Sequence, residues 1–532
     1  MRPTNMKNAL LKIRMVLAAV VAVASLTATA HAAAPGIAGS TFNLTAQPAY
    51  LTQPDGQAVY SWGYGCTNTT GITFLPAKIT TGFCGTMQVP GPTLIVTEGT
   101  TVTVNLTNNL PASAGNTSIL FPGFNVTALT GTGVPGLLTQ EAAPGSTVTY
   151  SFTASTPGTH SYYSGTQSDL QVEMGLYGAV IVLPKTQVSG NPTASGGCIG
   201  DLQDSNTAAR QHWGEGDYRL ATSAYDDPHT CYDREYLFQF AEIDPNIHTQ
   251  AESQVAACKA ATTQCTLQVP TEPYHPAYFL INGRSMPDDM DANYSVAYPH
   301  QPYNGNPHLH PGEQVLLRII GQGRWQHPFH EHANHVRILA RDGNLLLTPD
   351  GKGLAGPALF TTTTTPGVAM DGIFYYTGRG LNWDMYAHNP ASGDATATLP
   401  CTPDANGYNT GATSAINYYE WCADHNKPLQ ATPTGDVAAG GPITLPDPNI
   451  LTNGAWYSGS PYLGPDATIR ATGPTSSFQS SNVQANPANE RGYAFMWHSH
   501  NEREITTNNV FPGGMFMMML VDSREFVIDE SN

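Results

Sequence analysis

Two short segments concentrate the imidazoles of this chain. One is Gln326-His327-Pro328-Phe329-His330-Glu331-His332-Ala333-Asn334-His335; the other is Trp497-His498-Ser499-His500, followed by Phe511-Pro512-Gly513-Gly514-Met515. In an extended strand, residues two apart share a face, so His330 with His332, and His498 with His500, each make a two-pronged ligand set. Two such strands side by side present four imidazoles to one cavity. Imidazole suits copper, zinc, iron and nickel, and geometry rather than affinity selects among them. A single histidine is more often structural, whereas two H-x-H pairs at strand spacing point to a metal site.

Other chemistry-bearing residues read less sharply. Asp288, Asp289 and Asp291 suggest a calcium loop, but the spacing of an EF-hand is absent and a solvated turn is the better reading. Met515, Met517, Met518 and Met519 lie on a strand pattern and read first as core, with soft metal ligation as the alternative. A Ser-His-Asp hydrolase has no support, because no G-x-S-x-G elbow occurs.

The elements that position these residues are short strands. Thr101-Val102-Thr103-Val104-Asn105-Leu106 alternates in the manner of a half-buried strand. Similar runs recur from Ser40 to Pro184, which predicts an all-β sandwich or barrel. Residues 186–272 are richer in Asp, Ala, Gln and Cys and read as a disulfide-pinned connector with a helix near Thr249 to Ala261. Strand patterns return at Tyr278–Asn282, Glu313–Ile320, His335–Ala340, Gly372–Tyr376, Tyr493–His498 and Met515–Val521. Between them, 387–488 is a Gly-, Pro-, Asn- and Thr-rich stretch, too long for a plain loop and read as an insertion. The predicted domains are 40–185 and 273–532.

Composition narrows the setting. Arg2, Lys7, Lys12 and Arg14 precede an apolar run from Met15 and then Ala30-His31-Ala32, a secretory signal over 1–32 that is too short to span a bilayer. The expected location is periplasmic or extracellular, with no membrane span. Eight cysteines in an oxidising compartment favour disulfides. Neighbour pairing, Cys66–Cys84, Cys198–Cys231, Cys258–Cys265 and Cys401–Cys422, closes short loops, although spacing alone leaves the connectivity open. The net charge of −18 argues against nucleic acid and anionic membranes as partners and leaves cations attracted.

Several motifs together resemble the multicopper oxidase family. Gly91-Pro92-Thr93-Leu94-Ile95-Val96 with Glu98-Gly99, then Asn108-Asn109-Leu110-Pro111, resembles the opening of a cupredoxin domain of that family. Gly133-Val134-Pro135-Gly136 with Thr139-Gln140, Pro157-Gly158-Thr159 and Gly175-Leu176-Tyr177-Gly178 follow in order. His327 to Gly343 resembles the third histidine motif, and His498-Ser499-His500 the fourth.

The resemblance implies tandem cupredoxin-like Greek-key β-barrels or sandwiches, with the loop-rich insertion in the second. It also implies a trinuclear copper cluster held by four H-x-H motifs, fed through a cysteine from a blue copper. Carried over residue by residue, Leu120 and Pro122 stand at the first motif and Tyr163 and Gly165 at the second. Ser499 replaces the cysteine, and Glu504 stands where the second blue-copper imidazole is expected. His327 and Met515 alone match that site.

The metal residues expected are therefore His330, His332, His498 and His500, with His327 and Met515 as weaker candidates. His335 is expected in a supporting or core role, and His308 and His310 as surface residues away from the copper. Copper is the implied cofactor, one or two ions rather than four, or none. The functional reading is an exported, multicopper-oxidase-like protein that binds copper or another divalent metal and oxidises metal ions such as Mn²⁺ or Cu⁺, or small reductants, with O₂. The alternative is a non-catalytic structural or binding protein with a relic site. Two-domain members of the family are often trimers, so a homotrimer is also implied.

Overall fold

The computed structural model describes residues 34–75, 83–129, 131–186, 188–190, 194–199, 210, 212–380, 399–423, 459–462 and 492–528. The expected signal segment and much of the expected insertion lie outside them. Among the described residues no helix is long and apolar enough to cross a membrane.

The N-terminal half contains β1 (Gly36–Ala38), β2 (Thr41–Thr52), β3 (Ala58–Asn68), β4 (Thr73–Leu75), β5 (Leu94–Thr97) and β6 (Thr101–Asn108). It continues with β7 (Thr127–Ala128), β8 (Val134–Pro135), β9 (Gln140–Glu141), β10 (Thr147–Thr153), β11 (Gly158–Tyr163) and β12 (Tyr177–Leu183). Two sheets face each other, ordered β11-β12-β5-β1-β4 and β3-β2-β6-β10-β7. The alternation read in β6 is obeyed: Val102, Val104 and Leu106 are fully buried among Trp62, Tyr64, Tyr150 and Phe152, and Thr103 and Asn105 between them are half-buried on the other face. Period-two patterning of this kind specifies register, because a one-residue slip would turn the whole apolar set to water.

The second half contains β13 (Arg234–Ile243), β14 (Tyr278–Ile281), β15 (His308–Leu309), β16 (Gln314–Gly321), β17 (His327–Glu331), β18 (Val336–Arg341) and β19 (Asn344–Leu345). It is completed by β20 (Ala358–Leu359), β21 (Thr361–Thr364), β22 (Ala369–Tyr375), β23 (Gly459–Tyr462), β24 (Gly492–Ser499) and β25 (Phe516–Asp522). One sheet runs β14-β13-β16-β22-β18-β19 with β20 on β18; the other runs β15-β25-β24-β17-β21 with β23 on β24. The fold is all-β, two cupredoxin-like sandwiches in tandem. The expected insertion contributes β23, and residues 399–423 carry the Cys401–Cys422 bridge and dock through Trp421 N–H on the Thr377 carbonyl.

The stretch read as a connector does more than connect. β13 is buried along its whole length and pairs in parallel with β16 over seven positions, as a central strand of the second sandwich. Its alternation serves two cores: Tyr236, Phe238 and Phe240 point into the second sandwich, while Leu237 joins Ile95, Ala179 and Ile181 of the first. A strand covered on both faces reads as a continuous apolar run, so Tyr236–Ala241 carries no half-buried signature. The helix occupies Pro245–Ala260, four residues earlier at its start than the sequence suggested, because the Asp244 side chain caps it by accepting from Asn246 N–H and Pro245 sits at the first helical position. All four disulfides pair neighbours, Cys66–Cys84, Cys198–Cys231, Cys258–Cys265 and Cys401–Cys422, and no free cysteine remains.

Two expectations are corrected by burial. His308 and His310 are 3% and 1% exposed, not surface residues: His308 Nδ1 lies 2.5 Å from Asp522, and His310 Nε2 lies 2.6 Å from Glu215. The aspartate turn is not solvated either. Asp289 is fully buried and Asp288 nearly so, and burial pushes the Asp289 carboxyl well above its usual range and Asp288 up to about 6. Nor is it a calcium loop, because the Arg284 guanidinium takes the carbonyls of Asp288, Asp291 and Ala292.

A polar layer crosses between the sandwiches. Buried Asp371 accepts from Thr159 N–H at 3.1 Å, Thr159 Oγ1 at 2.6 Å and Tyr225 O–H at 2.6 Å. Asp371→Ala strands these donors and should lower unfolding stability by about 2–3 kcal/mol, read in urea titrations with the disulfides intact. A loss under about 0.5 kcal/mol, the scale of an ordinary surface change, would show that the layer contributes little.

Candidate metal centre

The four imidazoles meet because two strands are in register. β17 and β24 pair antiparallel with His330 opposite His498, Phe329 opposite Ser499 and Glu331 opposite Trp497. Strand alternation turns Phe329 into the core and the histidines to the other face. Ring centroids of His330 lie 4.6 Å from His332, 5.8 Å from His498 and 4.6 Å from His500; His332 and His498 are 5.1 Å apart, as are His498 and His500. His332 Nε2 and His498 Nε2 stand 3.1 Å apart, a hydrogen bond in which either ring supplies the proton. The cluster is buried at His330 and His332, half-buried at His498 and open to solvent at His500.

Neighbours orient the rings. Thr361 Oγ1 lies 2.9 Å from His330 Nδ1, the Ser499 carbonyl lies 2.8 Å from His498 Nδ1, and Trp497 Nε1–H donates to the His332 carbonyl at 3.1 Å. Contacts of this type fix which ring nitrogen points at an ion. Burial, then the neighbouring His500 and His498, holds His330 down at about 4, and burial also lowers His498, so both rings are neutral near pH 7 and carry the lone pair that a metal needs. Two Nε2 atoms 3.1 Å apart subtend about 100° at an ion roughly 2.0 Å from each, an ordinary ligand angle. Among the described residues no three His, Cys, Asp or Glu donors already converge as a formed site.

His327 lies elsewhere and is engaged differently. It is fully buried, with Nε2 at 3.0 Å from Glu242 Oε2 and Nδ1 at 3.0 Å from Glu504 Oε2, the second contact an ion pair off the line of a good hydrogen bond. Burial alone would lower its pKa, but hydrogen bonds and charge from Glu242 and Glu504 outweigh it and raise the imidazole to about 9. Glu504 also accepts from Ser499 Oγ at 2.5 Å and Asn501 Nδ2 at 2.8 Å. Met515 is fully buried, and its N–H donates to the Glu504 carbonyl at 2.8 Å. Glu242, 85 residues from His327, was invisible to motif reading, as was Thr361.

The first-sandwich positions come together without imidazoles. Leu120 N–H donates to the Tyr163 carbonyl at 2.8 Å, and a Cβ placed on Gly165 would lie 2.7 Å from the Leu120 side chain. Leu120 therefore fills the space above Gly165. Pro122, the other first-motif position, lies just beyond it in the same loop.

A multicopper oxidase family model matches residues 70–187, most of the first sandwich. Over that stretch the chain is similar to multicopper oxidases. Among curated relatives it is 35% identical over 127 residues to multicopper oxidase MCE of Talaromyces pinophilus, covering 23% of this chain and 20% of that protein. To L-ascorbate oxidase of Brassica rapa subsp. pekinensis it is 36% identical over 95 residues, 18% of this chain and 16% of the other. The matched stretch thus spans a fifth or less of these relatives. Among solved structures, the multicopper oxidase mgLAC is similar over 92% of this chain and 87% of its own, at 16% identity and TM-score 0.43. A blue copper oxidase from Nitrosomonas europaea is similar over 90% and 85%, also at 16% identity and TM-score 0.43.

Proposed function

We propose that this protein is an exported copper-binding member of the multicopper oxidase family with a reduced metal complement, held by His330, His332, His498 and His500. The observation that carries this reading is the pair of H-x-H strands in register, with His332 Nε2 and His498 Nε2 facing each other at 3.1 Å. The donor set fits copper: four imidazoles, two buried, one half-buried and one open to solvent, on paired strands. When bound, copper would supply one-electron redox chemistry toward metal ions or small reductants with O₂ as oxidant. The chain's own residues orient the rings through Thr361 and Trp497, exclude water on the His330 side and leave access at His500. Export agrees with four disulfides and no free cysteine.

Neither further copper site of the family fits the residues present. The blue-copper position is taken by the Glu242–His327–Glu504 contacts, and Ser499 offers no thiolate for a His₂Cys site. The first-sandwich half of a trinuclear cluster is closed by Leu120 over Gly165. These same features favour the competing reading, a cupredoxin-fold binding protein with a relic site.

Metal content separates the two. Protein from its native compartment should carry about one copper per chain, lost when all four histidines are changed to Ala, since one ion suffices for this donor number. Absence of stoichiometric metal after copper loading would leave the relic reading standing, and metal retained by the quadruple variant would place the ion elsewhere.

A further inference from the structure

A cavity of about 300 Å³ lies on the outer face of the β16-β22-β18 sheet, away from the imidazole cluster's own face. The outward residues Arg337 and Leu339 of β18 and Ile373 and Tyr375 of β22 form its floor, and His229 and Ile199 of the segment preceding β13 form a wall. This size is at the lower end of small-molecule sites and admits a single-ring compound. Ile373 and the half-buried Leu354 give the lining its accessible apolar part, over Leu339 beneath.

The charge of the lining runs against that of the whole chain. The protein has 22 basic and 40 acidic residues, yet no carboxylate lines this cavity, which carries one arginine and two histidines. Arg337 Nη1–H donates to the Gly356 carbonyl at 2.8 Å, and among the described residues no carboxylate lies within ion-pair distance of its guanidinium. Asp227 is paired with the wall residue His229, whose Nδ1 lies 2.8 Å away. A guanidinium with open donors at the edge of an apolar floor recognises a planar carboxylate through paired hydrogen bonds.

The position is notable for its neighbour. His335, which lines the cavity, packs against Phe360 with ring centroids 3.7 Å apart, and the Phe360 ring also lies 6.4 Å from that of His330.

We propose that this cavity is a binding site for a small aromatic carboxylate, with its carboxylate on Arg337 and its ring against Ile373 and Leu354. The site is distinct from the four-histidine cluster and does not depend on that cluster holding metal.

Benzoate titrated into the full chain in EDTA, followed by ligand-observed NMR and calorimetry, tests it. Saturable binding is expected, weakened about ten-fold or more in Arg337→Gln and for the neutral analogue benzyl alcohol, the loss of one charge-assisted contact. Ala358→Phe, at an exposed rim position of the cavity, should abolish binding and serves if Arg337→Gln fails to fold. Binding should persist when His330, His332, His498 and His500 are all changed to Ala. No saturation into the millimolar range, equal affinity in Arg337→Gln, or loss of binding in the quadruple histidine variant would each overturn the proposal.

Discussion

Glu504→Ala should be the most destabilising single change near the imidazole strands, lowering unfolding stability by about 3–5 kcal/mol, the usual cost of removing one partner from a buried ion pair. Glu504 is fully buried and holds three groups at once: His327 Nδ1 at 3.0 Å, Ser499 Oγ at 2.5 Å and Asn501 Nδ2 at 2.8 Å. Truncation leaves a void, strands the hydroxyl and the amide, and leaves the imidazolium with Glu242 alone. Glu504→Gln keeps the shape and part of the hydrogen bonding, and should cost on the order of 1–2 kcal/mol. Urea unfolding in EDTA at neutral pH reads both. Losses below about 1 kcal/mol for the Ala variant would mean that His327 is not charged in the fold.

The same group gives the protein a pH signature. The His327 pKa is raised to about 9 in the fold against about 6.5 in the unfolded chain. Its contribution is therefore fully present below about pH 6.5 and is lost as the pH rises through 9. A shift of that size corresponds to on the order of 3 kcal/mol, so wild-type stability should fall between pH 7 and pH 10, and the fall should be shallower in Glu504→Ala. A histidine left neutral at pH 7 would give no such slope.

What the sequence disclosed and what it hid follow from range. Alternation in Thr101–Asn108 and the two H-x-H pairs are local, period-two signals, and the strands, their inward faces and the imidazole face came out as read. His308 and His310 resemble a polar strand entrance until Asp522 and Glu215, 214 and 95 residues away, are folded onto them. The role of β13 was hidden for another reason: with both faces buried, its aromatic residues serving one core and Leu237 the other, it shows no apolar–polar alternation. His327 could be named as a weaker candidate because the family motif is contiguous, whereas Glu242 at its Nε2 comes from that unrecognised strand and left no local signal.

Ser499→Cys combined with Glu504→His should create a blue copper site where none is expected in the parent chain. Glu504 Oε2 lies 3.0 Å from His327 Nδ1 and 2.5 Å from Ser499 Oγ, so these three side chains already converge on one point. The backbone around it is fixed: Ser499 N–H donates to the Met515 carbonyl at 3.0 Å, and Met515 N–H to the Glu504 carbonyl at 2.8 Å. Glu242 at His327 Nε2 favours the tautomer with its proton there, which leaves the Nδ1 lone pair for a metal. Two imidazoles, a thiolate and a buried Met515 are the ligand set of a blue-copper site. The double variant, loaded with Cu(II), should take up about one more copper per chain than the parent and turn intensely blue. Neither single variant should do so, because Ser499→Cys sets a thiol beside the Glu504 carboxylate, which disfavours the thiolate, and Glu504→His supplies no sulfur. Visible absorption and copper content measured together decide the matter. A colourless double variant with native near-ultraviolet circular dichroism would show that the backbone here, and not only Ser499 and Glu504, has departed from the geometry of a copper site.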